Sequence, residues 1–145
     1  MVNRIDEVTI NILKSATKEF SCKGFEKASM RTIAKNANVT TGALYARYQN
    51  KDALFGTLVE PIISKFLTTN DESNQQSVNY ISNETISKVW YHSKKSSIKI
   101  VNLIYENKEI FTLLINCSNG SSYENFIDSI VEIQEKEIFE FLEIL

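Results

Sequence analysis

Residues 40–48 place polar side chains and small residues on one face of a short helix. If Thr40 or Thr41 caps that helix, Leu44 and Tyr48 lie four residues apart on its inner face. The outer face then presents hydroxyl, phenol and guanidinium groups between small residues, and these groups suit contacts with phosphates and base edges. The outer residues are Thr41, Gly42, Tyr45, Ala46 and Arg47.

A second short helix is predicted immediately before this one. Ser29 is a favourable N-cap, and Met30, Ile33, Ala34 and Ala37 follow on one face. The Asn-Ala-Asn sequence at 36–38 interrupts the pattern, and Asn tolerates the left-handed backbone that a tight turn needs. Two short helices joined in this way, the second with a polar outer face, predict a DNA-binding helix-turn-helix.

Apolar residues recur every three or four positions along most of the remaining chain, which predicts an all-α fold. The first helix is expected over 5–23, with Gly24 as its left-handed stop and Phe25 as the hydrophobic partner of that stop. Asn50 is expected to cap a fourth helix that leads into the second domain. Pro61 should kink or divide that helix, because proline lacks a backbone donor.

The predicted organisation has two parts. Residues 1–50 form a three-helix DNA-binding head, and residues 51–145 form a second helical domain, the body, that the fourth helix joins to the head. The polar segment 68–83 lacks regular periodicity, so it is expected to be a loop or linker. Helices are then expected over 84–106, from Asn107 to about Asn119-Gly120, and after a Ser121/Glu124 capping box to the end of the chain.

Charge is distributed unevenly between these parts. Residues 1–51 contain 9 Lys and Arg against 4 Asp and Glu, whereas residues 52–145 contain 7 against 14. A basic head on an acidic body indicates that polyanion binding belongs to the head. The chain lacks an apolar run of membrane-span length and a signal-peptide core, so a cytoplasmic protein is expected. Cys22, Cys117 and the single His92 have no metal-ligand spacing, and no cofactor is expected.

The first sixty or so residues resemble the DNA-binding head of the TetR family of bacterial transcriptional regulators. The resemblance rests on Ile12-Leu13, Ala16, Phe20, Lys23-Gly24-Phe25, Ser29-Met30-Arg31-Thr32-Ile33-Ala34, Val39, Gly42-Ala43-Leu44-Tyr45, Tyr48 and Lys51-Asp52-Ala53-Leu54. Asn38 stands where the family usually has Gly, and Asn can serve the same turn.

The resemblance implies a set of DNA contacts. Ser29 and Arg31 would bind backbone phosphates, and Tyr45 and Lys51 would each reach another. Thr40 would cap the recognition helix. The residues facing the major groove would be Thr41, Gly42, Ala46 and Arg47.

Each of these polar residues also has a structural alternative. Arg47 can pair with a guanine, bind a phosphate or neutralise a nearby acid. Tyr45 alone can be a packing residue, and Lys51 alone a solvated charge. Their common face is what favours the contact assignment.

The body, residues 51–145, resembles the family's effector-binding and dimerisation domain less specifically. This resemblance implies a small-molecule pocket, for which Trp90, Tyr105, Phe111 and Phe126 are the candidates, with Tyr91 beside them; ordinary core packing is the alternative. The family also implies a homodimer made by its last two helices. The chain ends about two helices before the family pattern does, so either it is a truncated regulator or its seventh helix makes the dimer.

The sequence therefore predicts a ligand-responsive repressor that binds an operator in double-stranded DNA and contains no membrane segment. The alternative is a truncated interaction or ligand-sequestering protein without strong operator binding. An enzyme is disfavoured, because no catalytic or phosphate-binding constellation is present.

Overall fold

The computed structural model describes residues 6–83 and 86–144, with the side chains at 73–74, 76–90, 92–93, 140–142 and 144 left out of the description. Throughout these ranges the chain forms helices and no strand, which confirms the all-α prediction. The helices are α1 (Glu7–Lys27), α2 (Met30–Asn36), α3 (Thr41–Arg47), α4 (Lys51–Asn83), α5 (Ile86–Glu106), α6 (Lys108–Asn116) and α7 (Phe126–Ile144). No helix in the described part is long and apolar enough to cross a bilayer.

Side-chain caps begin each of the first four helices. Ser29 accepts a hydrogen bond from the Thr32 amide at 3.4 Å, and Thr40 accepts one from the Ala43 amide at 3.1 Å. Asn50 caps α4 in the same way, with 2.7 Å to the Ala53 amide. The three predicted N-caps are therefore confirmed, and they fix where the short helices begin.

Two residues with positive φ separate the elements of the head. Gly24 has φ 73° and interrupts α1 just before Phe25, which is buried. Asn38 has φ 58° and forms the turn between α2 and α3. Both positions were predicted to be left-handed, because Gly has no Cβ and Asn is the other residue that most readily adopts this backbone. Gly24 has a positive φ but an extended ψ of 163°, so α1 resumes after it and ends at Lys27 rather than at the predicted Lys23.

A single apolar core holds the head together. Ile12 of α1, Ile33 of α2 and Leu44 of α3 are fully buried, so each short helix contributes an aliphatic anchor. Phe55 of α4 packs edge-to-face against the rings of Phe20 and Phe25, with centroids 5.0 and 5.4 Å away. This core fixes the direction in which the outer face of α3 points.

The segment 68–83 corrects the sequence prediction. It is the C-terminal part of the helix α4 rather than a loop or linker. Its Asp, Glu, Gln and Ser residues are polar. Polar residues can still extend a helix that has already formed, because extension requires no new nucleation. The helix also continues through Pro61, where only one backbone donor is lost.

The chain forms two compact units. One combines residues 1–60 with 109–125, and is therefore wider than the predicted head; the other combines 61–108 with 126–145. In the first unit the turn after α6 contacts α1 and α4. The Phe25 amide donates to the Cys117 carbonyl at 2.7 Å, and Ser122 donates its amide to Asp52 at 2.8 Å. The Ser122 hydroxyl donates to the same carboxylate.

The start of α7 also differs from the expected capping box. Residues 121–125 form a turn, and α7 begins at Phe126. The Glu124 carboxylate accepts from the Gly120 amide at 2.9 Å, whereas the Ser121 hydroxyl donates to the Ser118 carbonyl at 2.6 Å. The two side chains thus stabilise the turn before α7, and neither accepts from the backbone amide of the other residue as a capping box requires.

The second unit contains a polar network between α4 and α7. Phe66 of α4 packs edge-to-face on Phe126 of α7, with centroids 6.3 Å apart. Asn70 is buried, and its amide donates to the Glu137 carboxylate at 3.1 Å. Gln134 donates to that carboxylate at 2.8 Å. The Glu137 carboxylate therefore has a structural role, because it accepts hydrogen bonds from the side-chain amides of both Asn70 and Gln134.

Tyr123 provides a test of the contact between the α6–α7 turn and α4. Its phenol donates to Glu60 at 2.5 Å, and burial together with that carboxylate raises the pKa of Tyr123 to about 12. The unfolded value is near 10, so the phenol stabilises the fold fully below about pH 10 and loses its contribution as the pH rises towards 12. We expect Tyr123→Phe to be less stable than the wild type at pH 9. The difference between the two proteins should shrink by pH 12, as measured by thermal unfolding; a constant difference would contradict the assigned hydrogen bond.

Candidate nucleic-acid interface

Helix α3 presents one face to solvent and is anchored by the other. Leu44 is completely buried and Tyr48 is half-buried, as predicted for the inner face. On the outer face Gly42 and Ala46 are exposed and Thr41 is half-buried. The helix therefore forms a ridge whose outer side chains are available to a partner.

Two polar groups of this surface have no partner among the residues that the structure describes. Tyr45 is 48% exposed, and Arg31 is exposed in the first turn of α2. Neither the phenol nor the guanidinium makes a hydrogen bond or ion pair with any residue that the structure describes. A free phenol donor and a free guanidinium on one basic domain fit the oxygen atoms of a phosphate backbone.

Gly42 leaves open space on the outer face of α3. A Cβ atom placed there would have the Thr40 hydroxyl oxygen as its near neighbour, at 4.0 Å, and no side chain of another helix. Packing within the chain thus gives no reason for a glycine at this position. The absence of a side chain instead permits close approach of an external surface to the backbone.

The capping hydroxyls keep a donor for an external acceptor. Ser29 accepts from the Thr32 amide and Thr40 from the Ala43 amide, so each uses its oxygen as an acceptor inside the chain. A hydroxyl also carries one proton to donate. The Ser29 backbone amide is already occupied by Glu19 at 3.2 Å, which leaves the hydroxyl as its polar group for DNA.

Arg47 is held by the N-terminus of α1. Its Nη1 lies 3.0 Å from the Asp6 carboxylate and 3.0 Å from the Thr9 hydroxyl, and 39% of the Arg47 side chain remains exposed. The Thr9 amide and hydroxyl, followed by Arg47, lower the pKa of Asp6. Of the alternatives considered for Arg47, this ion pair is the neutralisation of a nearby acid. The same guanidinium was also predicted to face the major groove.

Sequence reasoning missed Asp6 as the partner of Arg47. Asp6 is the N-cap of α1, and its carboxylate accepts a hydrogen bond from the Thr9 amide at 2.7 Å. An Asp three residues before a Thr at the start of an apolar pattern is the local signal for that cap. The pairing across 41 residues has no such local signal.

Lys51 of α4 binds the C-terminal end of α1. Its ammonium donates to the Glu26 carbonyl at 2.9 Å and to the Ala28 carbonyl at 3.2 Å, and it lies 4.7 Å from the centroid of the Phe25 ring. These contacts satisfy carbonyls at the end of α1. Since an ammonium has three donors, one remains for the phosphate contact predicted for Lys51.

The candidate ligand residues have different surroundings. Phe111 is buried in the compact unit that contains the head, whereas Tyr105 is 77% exposed on α5. Phe126 is half-buried against Phe66, and the side chain of Trp90 lies outside the described residues. A ligand site built from them stays a prediction. Among the described residues, no group of three or more His, Cys, Asp or Glu side chains could hold a metal ion.

Comparison with known proteins identifies the region that contains α2 and α3. Residues 12–58 match the model of the bacterial regulatory proteins of the tetR family. The chain is 27% identical over 107 residues to the uncharacterized HTH-type transcriptional regulator YhgD of Bacillus subtilis, covering 72% of this chain and 55% of that protein. It is 26% identical over 117 residues to an uncharacterized HTH-type transcriptional regulator of Haemophilus influenzae, covering 81% and 56%.

A third match is shorter and of higher identity. It is 37% identical over 54 residues to the uncharacterized HTH-type transcriptional regulator YdgC of Bacillus subtilis, covering 37% of this chain and 28% of that protein. The chain spans about half the length, or less, of these curated relatives. No solved structure matches the chain.

The Gly42→Ala variant distinguishes an effect on folding from an effect on the close approach of α3 to DNA. In a helix Ala is more favourable than Gly by roughly 0.5–1 kcal/mol, so the variant should unfold at the same temperature as the wild type or higher. Binding to duplex DNA should weaken about tenfold, because the added methyl group projects from the contact face. Thermal unfolding and fluorescence anisotropy measure the two effects. Unchanged binding by a stable Gly42→Ala protein would place the contact face elsewhere.

Asp6→Asn tests whether the ion pair restrains Arg47. Asn caps helices as well as Asp does, so α1 should remain intact while the carboxylate charge is lost. We expect DNA binding to tighten roughly two- to fivefold, the range for releasing an exposed ion pair. A double-mutant cycle supplies the control: with Arg47→Ala already present, Asp6→Asn should have a smaller effect. Equal effects in both backgrounds would show that Asp6 acts only through general electrostatics.

Proposed function

We propose that the chain, whose residues 12–58 match the bacterial regulatory proteins of the tetR family, is a transcriptional repressor that a small-molecule effector releases from a double-stranded operator. The observation that carries DNA binding is the solvent-facing side of α3, where Gly42 and Ala46 flank the partly exposed phenol of Tyr45. A protein with this role acts in the cytoplasm, where the bacterial chromosome lies.

In the proposed complex α3 enters the major groove. Thr41, Gly42 and Ala46 approach the base edges, and their small size lets the helix backbone come close. Arg47 exchanges its Asp6 carboxylate for a guanine edge or a phosphate. This exchange replaces one charge-assisted hydrogen bond by another, so the guanidinium is not left unpaired on either side of the binding reaction.

Phosphate contacts on the flanks orient the helix in the groove. Ser29 and Arg31 donate from the beginning of α2, and Tyr45 donates its phenol from α3. Thr40 retains a hydroxyl proton beside its cap, and Lys51 retains one ammonium donor at the beginning of α4. Because all of these groups bind backbone oxygens, they determine affinity and register more than base preference.

Repression also requires two heads on one operator. We propose that the protein acts as a homodimer on a pseudo-palindromic site whose half-sites lie one or more helical turns apart. A single head, with a recognition helix of seven residues, presents too few base contacts for strong discrimination between sites.

The effector part of the proposal rests on the path of α4. This helix begins with Lys51 in the head and continues to Asn83, so residues 51–60 belong to one compact unit and residues 61–83 to the other. An effector that binds the helical body more tightly in one conformation can shift the heads through this helix, by no more than its differential affinity for the two conformations. The proposed effector is a small apolar molecule, and Trp90, Tyr105, Phe111 and Phe126 remain its candidate contacts.

Selection of bound sites from random duplex DNA tests the central proposal. We expect enrichment of a pseudo-palindrome, with binding that weakens steeply as salt rises because phosphate contacts release counterions. Arg47→Ala should cost roughly 1–3 kcal/mol on the selected site if it contacts a guanine, and relax the preference at one position of each half-site. Tyr45→Phe should weaken all sequences alike, because it removes a phosphate contact.

The control for these variants is Lys65→Ala, which removes an exposed positive charge from α4 outside the compact unit of the head. Its DNA affinity should equal that of the wild type. If no sequence is enriched by the folded wild-type protein, operator binding is excluded and the ligand-sequestering alternative gains support. If a site is enriched but Arg47→Ala and Tyr45→Phe bind it normally, the assigned face of α3 is wrong.

A further inference from the structure

A polar groove lies between the middle of α1 and the turn that joins α2 to α3. It encloses about 390 Å³ and lies wholly within the compact unit of the head. Helix α1 contributes Asn11, Lys14, Ser15 and Lys18, which share one face at spacings of three and four residues, and the turn contributes residues 36–38. None of the predicted DNA contacts lines this groove, so it is distinct from the outer face of α3.

The floor of the groove is held by packing and a buried hydrogen bond. Ser15 and Ala37 are buried, and the Ser15 hydroxyl donates to the Ile33 carbonyl at 2.9 Å. This hydrogen bond ties α1 to the last turn of α2. The floor therefore has a fixed shape before any ligand arrives, which lowers the entropic cost of binding one.

The lysines of the groove are not required to satisfy the end of α2. A cation near the C-terminus of a helix commonly binds the last carbonyls of that helix. Here the carbonyls of residues 33–35 each accept from a backbone amide of residues 37–39, at 3.0 to 3.2 Å. The ammoniums of Lys14 and Lys18 therefore remain available to a ligand.

Five polar side chains of the groove have no partner in the described part of the chain. Neither the two ammoniums nor the three carboxamides form a hydrogen bond or ion pair with any residue that the structure describes. These groups belong to Lys14, Lys18, Asn11, Asn36 and Asn38. No Asp or Glu is among the described residues that line the groove, so its positive charge is not neutralised there. Two ammoniums four residues apart on a helix repel each other, and an anion between them removes that repulsion.

We infer that this groove binds a small phosphorylated polyol, such as a sugar phosphate. A phosphate group carries about two negative charges and three acceptor oxygens, so both lysine ammoniums can donate to it. A carboxamide both donates and accepts hydrogen bonds, as a hydroxyl group does, so the three asparagines suit the polyol part. The volume of the groove lies in the range of small-molecule sites.

The lining of the groove disfavours two other phosphate-bearing ligands. A nucleotide requires a surface for its base, and no aromatic side chain is among the described residues that line the groove. The backbone of duplex DNA is the second. A concave groove suits a ligand that enters it, whereas the major groove of DNA admits a protruding helix such as α3.

Titration of the isotope-labelled chain with glycerol phosphate tests the site by nuclear magnetic resonance. The side-chain amide signals of Asn11, Asn36 and Asn38 should shift and saturate, with a dissociation constant of about 1 mM or lower. Glycerol, and sodium chloride at matched ionic strength, should leave these signals in place. The Lys14→Gln/Lys18→Gln variant should bind glycerol phosphate at least about tenfold more weakly, because it loses both charges but keeps polar side chains of good helix propensity.

The matched control is Lys23→Gln/Lys27→Gln. It removes two exposed charges with the same spacing from α1, outside the groove, and should bind glycerol phosphate as the wild type does. Circular dichroism checks that both variants remain helical. The inference is overturned if the wild-type signals do not saturate. It is also overturned if both double variants lose affinity equally, since that result would show a general effect of charge on the head.

Binding to duplex DNA without glycerol phosphate supplies a second measurement. The two double variants should bind DNA with equal affinity, because each lowers the charge of the head by the same amount. A distinctly larger loss for Lys14→Gln/Lys18→Gln would assign the groove to the DNA backbone and overturn the inference. The titration itself contains no DNA, so its result does not depend on the proposed role as a repressor.

Discussion

The shared burial of three aliphatic side chains is the constraint on which the head depends. Helices α2 and α3 have seven residues each, well below the length at which an isolated helix is stable in water. They persist because Ile12, Ile33 and Leu44 meet in one fully buried core and because side chains cap both N-termini. The core behind α3 therefore sets the direction of its outer face, and the polar residues on that face do not contribute to the core.

The polar residues of this surface differ in what they do before a partner arrives. Tyr45 and Arg31 extend into solvent, whereas Arg47 and Lys51 already bind acceptors within the chain. The Lys51 contacts are to backbone carbonyls and tie α4 to the end of α1. Arg47 is bound to a carboxylate at the surface, where water and salt weaken the pair, so it can change partners at small cost. Lys51 therefore stabilises the head, whereas Arg47 is available to exchange Asp6 for another acceptor.

Local chemistry accounts for the elements that the sequence predicted correctly. Ser29, Thr40 and Gly24 act within three or four residues of themselves, through a cap or a left-handed backbone, and all three occur as expected. Segment 68–83 was mispredicted because its composition resembles that of a loop, although it continues an established helix. The contacts of Asp6 with Arg47 and of Asp52 with Ser122 join residues 41 and 70 positions apart, and no periodicity of a single sequence encodes such a pairing.

The discontinuous make-up of the first compact unit has a consequence for synthesis on the ribosome. Residues 1–60 emerge first and contain the whole helix-turn-helix, but residues 109–125, which complete the unit, follow only after 48 further residues. Closing such a long intervening segment raises the contact order and slows the final step of folding. Until then the Phe25 amide lacks its acceptor on Cys117 and the Phe55 ring lacks its contact with Tyr123. Chaperones that bind incompletely packed apolar surface would therefore act on the nascent head before residues 109–125 arrive.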